Sequence, residues 1–228
     1  MRLKRLLVGC GFSLIAMMSY AEQLNALTWE DAFPVSAAST QVHFKARYLD
    51  GDNTFHTLEV WRHGIDFLHR RTDNVLDLYA MINTSGELQY RMIQNQRKLV
   101  ADVNRTHLYR LGIHSDYSGL AFILTKPRED FVIHTIPEPS QVKVKDCTWY
   151  AIQPKLDHSV AVTQTVVCWS KQLALPLFIG KKQPSSSLIS PTFQVESFDT
   201  SPLLASQKKL PSIPSDYVYL DMDEDHDD

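Results

Sequence analysis

Residues 147–179 read CTWYAIQPKLDHSVAVTQTVVCWSKQLALPLFI, and their pattern predicts a β-hairpin followed by one further strand. Side chains alternate between the two faces of a strand, so Cys147, Trp149 and Ala151 share one face before the turn. After the turn, the residues that share one face are Val160, Val162, Gln164, Val166 and Cys168. The segment between the strands supplies the turn-forming residues Pro154, Asp157, His158 and Ser159.

The symmetry of this hairpin predicts a disulfide. If residues 157–158 form the tip, Trp149 faces Val166 and Cys147 faces Cys168. Directly opposed residues of an antiparallel pair lie within the Cα distance that a disulfide needs. In an oxidising compartment we expect a Cys147–Cys168 bond, which closes a loop of about 20 residues and stabilises the fold by about 3 kcal/mol. Two buried free thiols are the alternative.

The N-terminus predicts export. Residues 2–5 carry three basic side chains, and residues 6–18 form an apolar run that is short for a transmembrane span. Small residues at 19 and 21 fit a cleavage site before Glu22, so we expect residues 1–21 to be a secretory signal peptide. Its removal leaves two cysteines and no second apolar span, which predicts a periplasmic protein without a transmembrane segment.

A lipoprotein signal is the minor alternative for the same segment. Leu7-Val8-Gly9-Cys10 spells a lipobox, which would make Cys10 a lipidated N-terminus. The apolar run continues well past Cys10, however, where a lipoprotein would show a polar tether. We therefore favour cleavage after Ala21.

Composition indicates one domain and a distinct tail. The chain has a formal net charge of −3, and seven of its 26 acidic residues lie between Asp216 and Asp228. The nearly neutral body lacks the basic footprint of a nucleic-acid-binding protein. We predict a single domain over 22–220 and an acidic disordered tail over 221–228, because its like charges repel and little apolar surface can be buried.

Alternating hydrophobicity predicts a mainly β (α+β) protein with about eleven strands, mostly antiparallel because the connections are short. The predicted strands are 41–48, 55–61, 65–70, 76–82, 88–92, 99–103, 131–136, 141–145, the two hairpin strands and 175–181, with further candidates at 193–198 and 217–220. Short helices are expected around 26–32, from Asn104 to Gly112 and over 116–125. A sheet this long must curl.

Three segments carry a resemblance to a known group. They are Leu58–Gly64 (LEVWRHG), Cys168–Leu177 (CWSKQLALPL) and Phe198 followed by IPSDY at 213–217. With the preceding signal peptide and the central helical insertion, the chain resembles the periplasmic lipoprotein-carrier and outer-membrane lipoprotein-receptor (LolA/LolB-like) superfamily over residues 40–222. This resemblance implies an unclosed half-barrel with a helical lid and an apolar cavity for acyl chains.

The predicted ligand site lies between the apolar face of the first six strands and the helix at 116–125, which is its natural cover. Its sheet residues are Phe44, Tyr48, Val60, Leu78, Tyr90 and Met92, and its lid residues are Leu120, Phe122 and Leu124. The leading hypothesis is a monomeric binding protein for a lipid or an acylated protein segment. The alternative is an envelope sensor or protein-interaction module that binds another envelope protein through an exposed edge strand.

The sequence carries no pattern that is typical of an enzyme, a metal site or a cofactor site. The nine histidines are scattered, and neither Cys-x-x-Cys nor Gly-x-Ser-x-Gly occurs. The eight glycines never cluster into a phosphate-binding loop. We therefore expect no catalysis, no metal and no cofactor.

Overall fold

The computed structural model describes residues 27–35, 41–82, 85–103, 117–155 and 162–221. Several predictions concern segments outside these residues: the signal peptide 1–21 with Cys10, the helix predicted from Asn104 to Gly112, the hairpin tip at 157–158 and the tail beyond 221. Within the described ranges, no helix is long and apolar enough to span a membrane.

The described chain forms two α-helices, one 3₁₀ turn and twelve strands. The helices are α1 (Trp29–Ala32) and α2 (Tyr117–Phe122), and the 3₁₀ turn is Ala205–Gln207. The strands are β1 (Gln41–Leu49), β2 (Phe55–His63), β3 (Phe67–Thr72), β4 (Leu76–Ile82), β5 (Leu88–Gln94), β6 (Leu99–Val103), β7 (Phe131–Thr135), β8 (Thr148–Pro154), β9 (Gln164–Ser170), β10 (Leu175–Lys182), β11 (Ile189–Asp199) and β12 (Val218–Asp221).

All twelve strands belong to one sheet in the order β12-β6-β5-β4-β3-β2-β1-β11-β10-β9-β8-β7. Every neighbouring pair is antiparallel except β12 and β6, which are parallel. Among the described strands, β7 and β12 are the two ends and do not pair with each other, so the sheet stays open. The prediction of a mainly β, unclosed half-barrel with short helices is therefore confirmed.

The register predicted for the cysteine hairpin is wrong, although the disulfide is confirmed. Trp149 pairs with Cys168 and Ala151 pairs with Val166, so Cys147 lies just before β8 and diagonal to its partner. The Cys147–Cys168 bond still forms, with a Cα–Cα distance of 5.4 Å. Residues 155–163 connect the two strands, and a connection of that length does not fix the register as a two-residue turn does.

The strand predicted at 141–145 is also wrong. Residues 137–147 run as an irregular segment between β7 and β8, with a turn in which Val142 N–H donates to the Pro139 carbonyl. Pro137 and Pro139 lack backbone donors, which disfavours a sheet ladder here. The apolar side chains of Val142 and Val144 pack against the core although this segment has no strand partner, which explains the alternation in the sequence.

Each strand of the meander β1–β6 presents one face to the core and one away from it. On the inner face, two rows cross the six strands. They are Val42–Arg62–Leu68–Ala80–Tyr90–Val103 and Phe44–Val60–Arg70–Leu78–Met92–Ala101. On the outer face one row is His43–Trp61–His69–Tyr79–Arg91–Asp102. The inner face is therefore mostly apolar, whereas this row of the outer face consists of aromatic and charged side chains.

The helix α1 covers the other half of the sheet. A capping box between Thr28 and Asp31 begins it. Phe33, which follows it, packs edge-on against Tyr150 at 5.2 Å and Trp169 at 5.5 Å between ring centroids. The predicted short helix around 26–32 is thus present, and it joins the same core cluster as the inner face of β1–β6.

Candidate functional site

The helix α2 lies on the inner face of the sheet, as the lid prediction requires. Leu120, Ala121 and Phe122 are all buried and belong to one cluster with the inner-face residues of β1–β6. The helix ends at Phe122 because Ile123 adopts a left-handed backbone conformation, with φ of 63°. That conformation is unfavourable for a β-branched residue, so the backbone is strained at the C-terminal end of α2.

Tyr117 ties the start of α2 to the sheet. Its hydroxyl lies 2.7 Å from the carbonyl oxygen of Gly64 and 3.0 Å from that of Phe67, and its single hydrogen serves these two acceptors at the β2–β3 turn. Burial raises the pKa of Tyr117, which keeps the phenol protonated and able to donate.

Arg62 ties the end of α2 to the sheet, and its side chain is 0 % exposed. One terminal nitrogen donates to the carbonyl of Ala121 at 2.9 Å and to that of Ala174 at 3.1 Å, and the other donates to the carbonyl of Leu173. The guanidinium carbon also lies 4.7 Å from the ring centroid of Phe122. One side chain of β2 therefore joins the lid and the β9–β10 connection.

The charge of this buried guanidinium persists at neutral pH. Burial lowers the pKa of Arg62 to about 10, and the nearby Tyr117 opposes that shift. A cation is well suited to carbonyl oxygens, and hydrogen bonds from a charged donor are stronger than those from a neutral one. The helix α2 is thus held on the sheet by apolar packing and by the hydrogen bonds of a charged side chain.

The structure brings the sequence-predicted site residues together. Seven of them are buried in one cluster: Phe44, Val60, Leu78, Tyr90, Met92, Leu120 and Phe122. The other two, Tyr48 and Leu124, are partly buried and pack against that cluster. These side chains are packed together in the structure, and the ligand space between the sheet and α2 stays a prediction.

Arg62 and Arg70 were missed by the sequence interpretation. Both occur in phase with buried neighbours, since Leu58, Val60, Arg62 and Leu68, Arg70 follow the period of the inner face. Arg70 lies between Val60 and Leu78 in its row, and its guanidinium carbon is 5.7 Å from the centroid of the Tyr48 ring. A charged residue in phase with an apolar face was the signal that could have identified them.

A cluster of possible metal ligands occurs at the β1–β2 turn. Ligand atoms of Asp50, Asp52 and His56 lie within 4.8 Å of one another. Hydrogen bonds of the turn account for this geometry, because Asp50 accepts from the Asp52 amide at 2.9 Å and Asp52 accepts from the Thr54 amide at 2.8 Å. Hydrogen bonds from Asp52, with a smaller contribution from His56, hold the pKa of Asp50 down to about 2. These contacts stabilise the β1–β2 turn, so they explain the cluster without a metal ion.

Comparisons with known proteins give a distant likeness only. No protein-family model matches the chain, and no curated protein matches it. Thirteen chains of known structure match. One of them is the crystal structure of MucB, which aligns with 80% of this chain at 13% sequence identity and a TM-score of 0.41. The aligned part spans 61% of that protein's length. A likeness this low assigns neither a family nor a function, so the resemblance to lipoprotein carriers stays a hypothesis.

Proposed function

We propose that this chain is a non-enzymatic binding protein of the bacterial envelope. It holds a lipid, an acyl chain or an acylated segment of a lipoprotein between the inner face of β1–β6 and the lid helix α2. The observation that carries the proposal is the fully buried Arg62, which fastens the lid to the apolar face through backbone carbonyls.

A polar latch of this kind favours a lid that opens. A buried charge forgoes its hydration, and that cost offsets much of what its hydrogen bonds contribute. When the lid lifts, water hydrates Arg62 again, so opening costs less than it would for an apolar anchor of the same size. The strained backbone at Ile123, at the end of α2, also lowers the free-energy cost of opening. An acyl chain can then replace the lid side chains against the inner face.

The second inner-face cation suits the polar end of such a ligand. Arg70 lies between Val60 and Leu78 in its row, and the ring of Tyr48 on β1 lies 5.7 Å from its guanidinium carbon. Burial lowers the pKa of Arg70, and an anionic headgroup next to it would compensate its lost hydration. An amphiphile with its acyl chain under α2 and its head near Arg70 satisfies both features.

An envelope location agrees with the cysteine chemistry. The Cys147–Cys168 disulfide persists in oxidising compartments such as the periplasm and is rare in the cytosol. Together with the predicted signal peptide over residues 1–21, it supports export of the protein.

The test is uptake of a fluorescent fatty-acid analogue by the folded protein. We expect the parent protein to bind the probe and Phe122→Glu to abolish binding while circular dichroism stays unchanged. The matched control is Phe55→Glu, because Phe55 is 57% exposed at the far end of β2 and should leave uptake unaffected. Native mass spectrometry of protein purified from the envelope would identify any lipid that copurifies.

A second readout separates a ligand wall from an ordinary core. Phe122→Ala should change the affinity for the probe several-fold, in addition to any loss of unfolding free energy up to the ~3–5 kcal/mol expected at a fully packed position. A full loss of that size, together with no probe uptake by the parent protein, would refute the carrier proposal.

A protein-interaction module is the second candidate. The specific observation in its favour is the edge strand β12, whose four residues are all exposed at one end of the sheet. An exposed edge can accept a strand from a partner. Copurification of a stoichiometric envelope protein without lipid would favour this function over the first.

A further inference from the structure

The outer face of the sheet carries a stacked row of four aromatic rings. His43, Trp61, His69 and Tyr79 are directly opposed on β1 to β4. Neighbouring ring centroids lie 4.7, 4.5 and 4.1 Å apart, with interplanar angles of 6°, 10° and 7°. Each ring alternates along its strand with core residues, so this aromatic ladder lies on the face opposite to the lid helix.

A buried carboxylate holds the ladder in place. Asp77 is 3% exposed, and it accepts hydrogen bonds from His69 Nε2 at 2.6 Å, Arg71 Nε at 2.8 Å and Asn95 Nδ2 at 2.9 Å. The guanidinium carbon of Arg71 also lies 5.6 Å from the Trp61 ring centroid. The rings and the cation beside them are therefore fixed before any ligand arrives, as binding sites require.

The segment that follows β11 crosses this face. We call residues 200–217 the C-terminal strap. Gln41 Nε2 donates to the Ser201 carbonyl at 2.7 Å at one end, and Arg91 donates to the Pro211 carbonyl at 2.9 Å further along. The strap thus runs from β1 to β5 and passes over β2, β3 and β4, which carry three of the ladder rings.

A cavity of about 530 Å³ lies between the ladder and the strap. This volume is in the range of small-molecule sites. The sheet contributes Trp61, His69, Arg71 and Tyr79, and the strap contributes Gln207, Lys209, Leu210, Pro211 and Ser212. Two of these side chains are cationic, and none of those that line the cavity is a carboxylate.

Two polar groups of the cavity, on Arg71 and Tyr79, can donate hydrogen bonds to a ligand. Within the described part of the chain, the terminal nitrogens of Arg71 and the hydroxyl of Tyr79 have no hydrogen-bond partner. Burial, with a smaller effect of the Asp77 charge, raises the pKa of Tyr79 to about 12, so the phenol stays protonated. Because the ladder rings stack face to face, they turn their edges to the cavity, and aromatic edges carry partial positive charge.

We propose that this cavity binds a soluble organic anion. Its carboxylate, phosphate or sulfonate group is held by Arg71 and Lys209, and its flat apolar body lies between the ring edges and the Leu210-Pro211 segment of the strap. The proposal is independent of the lid site, since the two sites lie on opposite faces of the sheet.

The test compares two fluorescent probes that share an anilinonaphthalene ring system, one carrying a sulfonate and one neutral. Titrated into the full-length folded protein, anilinonaphthalene sulfonate should bind at least about tenfold more tightly than neutral phenylnaphthylamine, because charge-assisted contacts favour the anion. Its affinity should fall with added salt, since ionic contacts at a partly open site are screened.

Variants of neighbouring strap lysines locate the site. Lys209→Gln should weaken sulfonate binding about threefold, as expected for one exposed ionic contact. Lys208→Gln removes the same charge one residue away, outside the cavity lining, and should leave the affinity unchanged. Arg71→Met should weaken binding about tenfold or more. If Arg71→Met fails to fold, Tyr79→Phe replaces it as the test. This variant keeps the stacked ring and should also weaken sulfonate binding, because it removes one donor.

Three outcomes would overturn the proposal. The first is equal affinity for the anionic and the neutral probe. The second is equal effects of Lys209→Gln and Lys208→Gln, which would indicate non-specific attraction to the surface. The third is loss of sulfonate binding in Phe122→Glu, which would assign the probe to the lid site instead.

Discussion

Arg62→Met tests the role of the buried latch most directly. The substitution keeps much of the apolar volume and removes the guanidinium, which donates to the carbonyls of Ala121, Leu173 and Ala174. These acceptors would then be buried without their donor. Methionine also forms no charged contact with the ring of Phe122.

The expected loss follows from these contacts. Hydrogen bonds from a charged donor contribute about 1.5–3 kcal/mol each, and removal of the desolvation cost of Arg62 offsets part of the sum. Removing one side of a buried charged contact typically costs about 3–5 kcal/mol. We therefore expect the free energy of unfolding to fall by about 3 kcal/mol, in urea titrations with an unchanged m-value.

The part of the protein that Arg62→Met destabilises first is a second test of the latch. Amide hydrogen exchange should show the lid α2 losing protection before the meander β1–β6, because the latch joins the lid to a sheet that has its own ladder hydrogen bonds. Arg70→Met is the matched control, since that arginine lies on the same face and contacts Tyr48 without joining the lid. It should cost about 1 kcal/mol, the order of a single cation–π contact.

Two results would refute the latch. One is an Arg62→Met protein that is as stable as the parent within about 0.5 kcal/mol, a change typical of neutral surface substitutions. The other is equal loss of protection throughout the sheet and the lid, which would make Arg62 an ordinary core residue.

Three further predictions rest on separate contacts. Replacing both Cys147 and Cys168 by Ser should lower the free energy of unfolding by about 2–4 kcal/mol, and titration of the unfolded, unreduced parent should detect neither thiol. Gly180→Ala should cost about 1–3 kcal/mol, because the added carbon would lie within 2.9 Å of the backbone and side chains of β11, while Gly51→Ala, with open space around it, should be neutral in the same thermal-melt assay. Hydrogen bonds to two turn carboxylates raise the pKa of His56 above 6.5, so its ionic contribution to stability is full below pH 6.5 and is lost as pH rises through the folded-state pKa. The stability difference between the parent and His56→Gln should shrink over that interval, and a difference that grows with pH would contradict the assignment.

Strand positions were largely predictable because burial on one face gives a period of two. The strands β1, β4 and β5 have nearly the predicted bounds, since apolar side chains alternate cleanly there. The register of the cysteine hairpin was not predictable, because nine residues separate β8 from β9 and many pairings satisfy the same alternation.

The site was predictable only in part. The apolar members of the lid contact follow from periodicity, and they do meet in one cluster. Arg62 binds carbonyls far along the chain, and nothing local marks those acceptors. The aromatic ladder was not predictable either, because its four rings come from four strands and only the register of the sheet aligns them.

The pairing of β1 with β11 has a consequence for the order of assembly. The two strands come from opposite ends of the described chain, with Phe44 opposite Phe198, so about 150 residues must be made before β1 gains its second neighbour. The parallel partner of β6 arrives later still, in β12. During vectorial synthesis, the meander β1–β6 can form early, yet its β1 flank remains available to foreign strands until β11 is made, and its β6 flank until β12 is made. Misassembly and chaperone engagement should therefore concentrate on the nascent six-stranded intermediate.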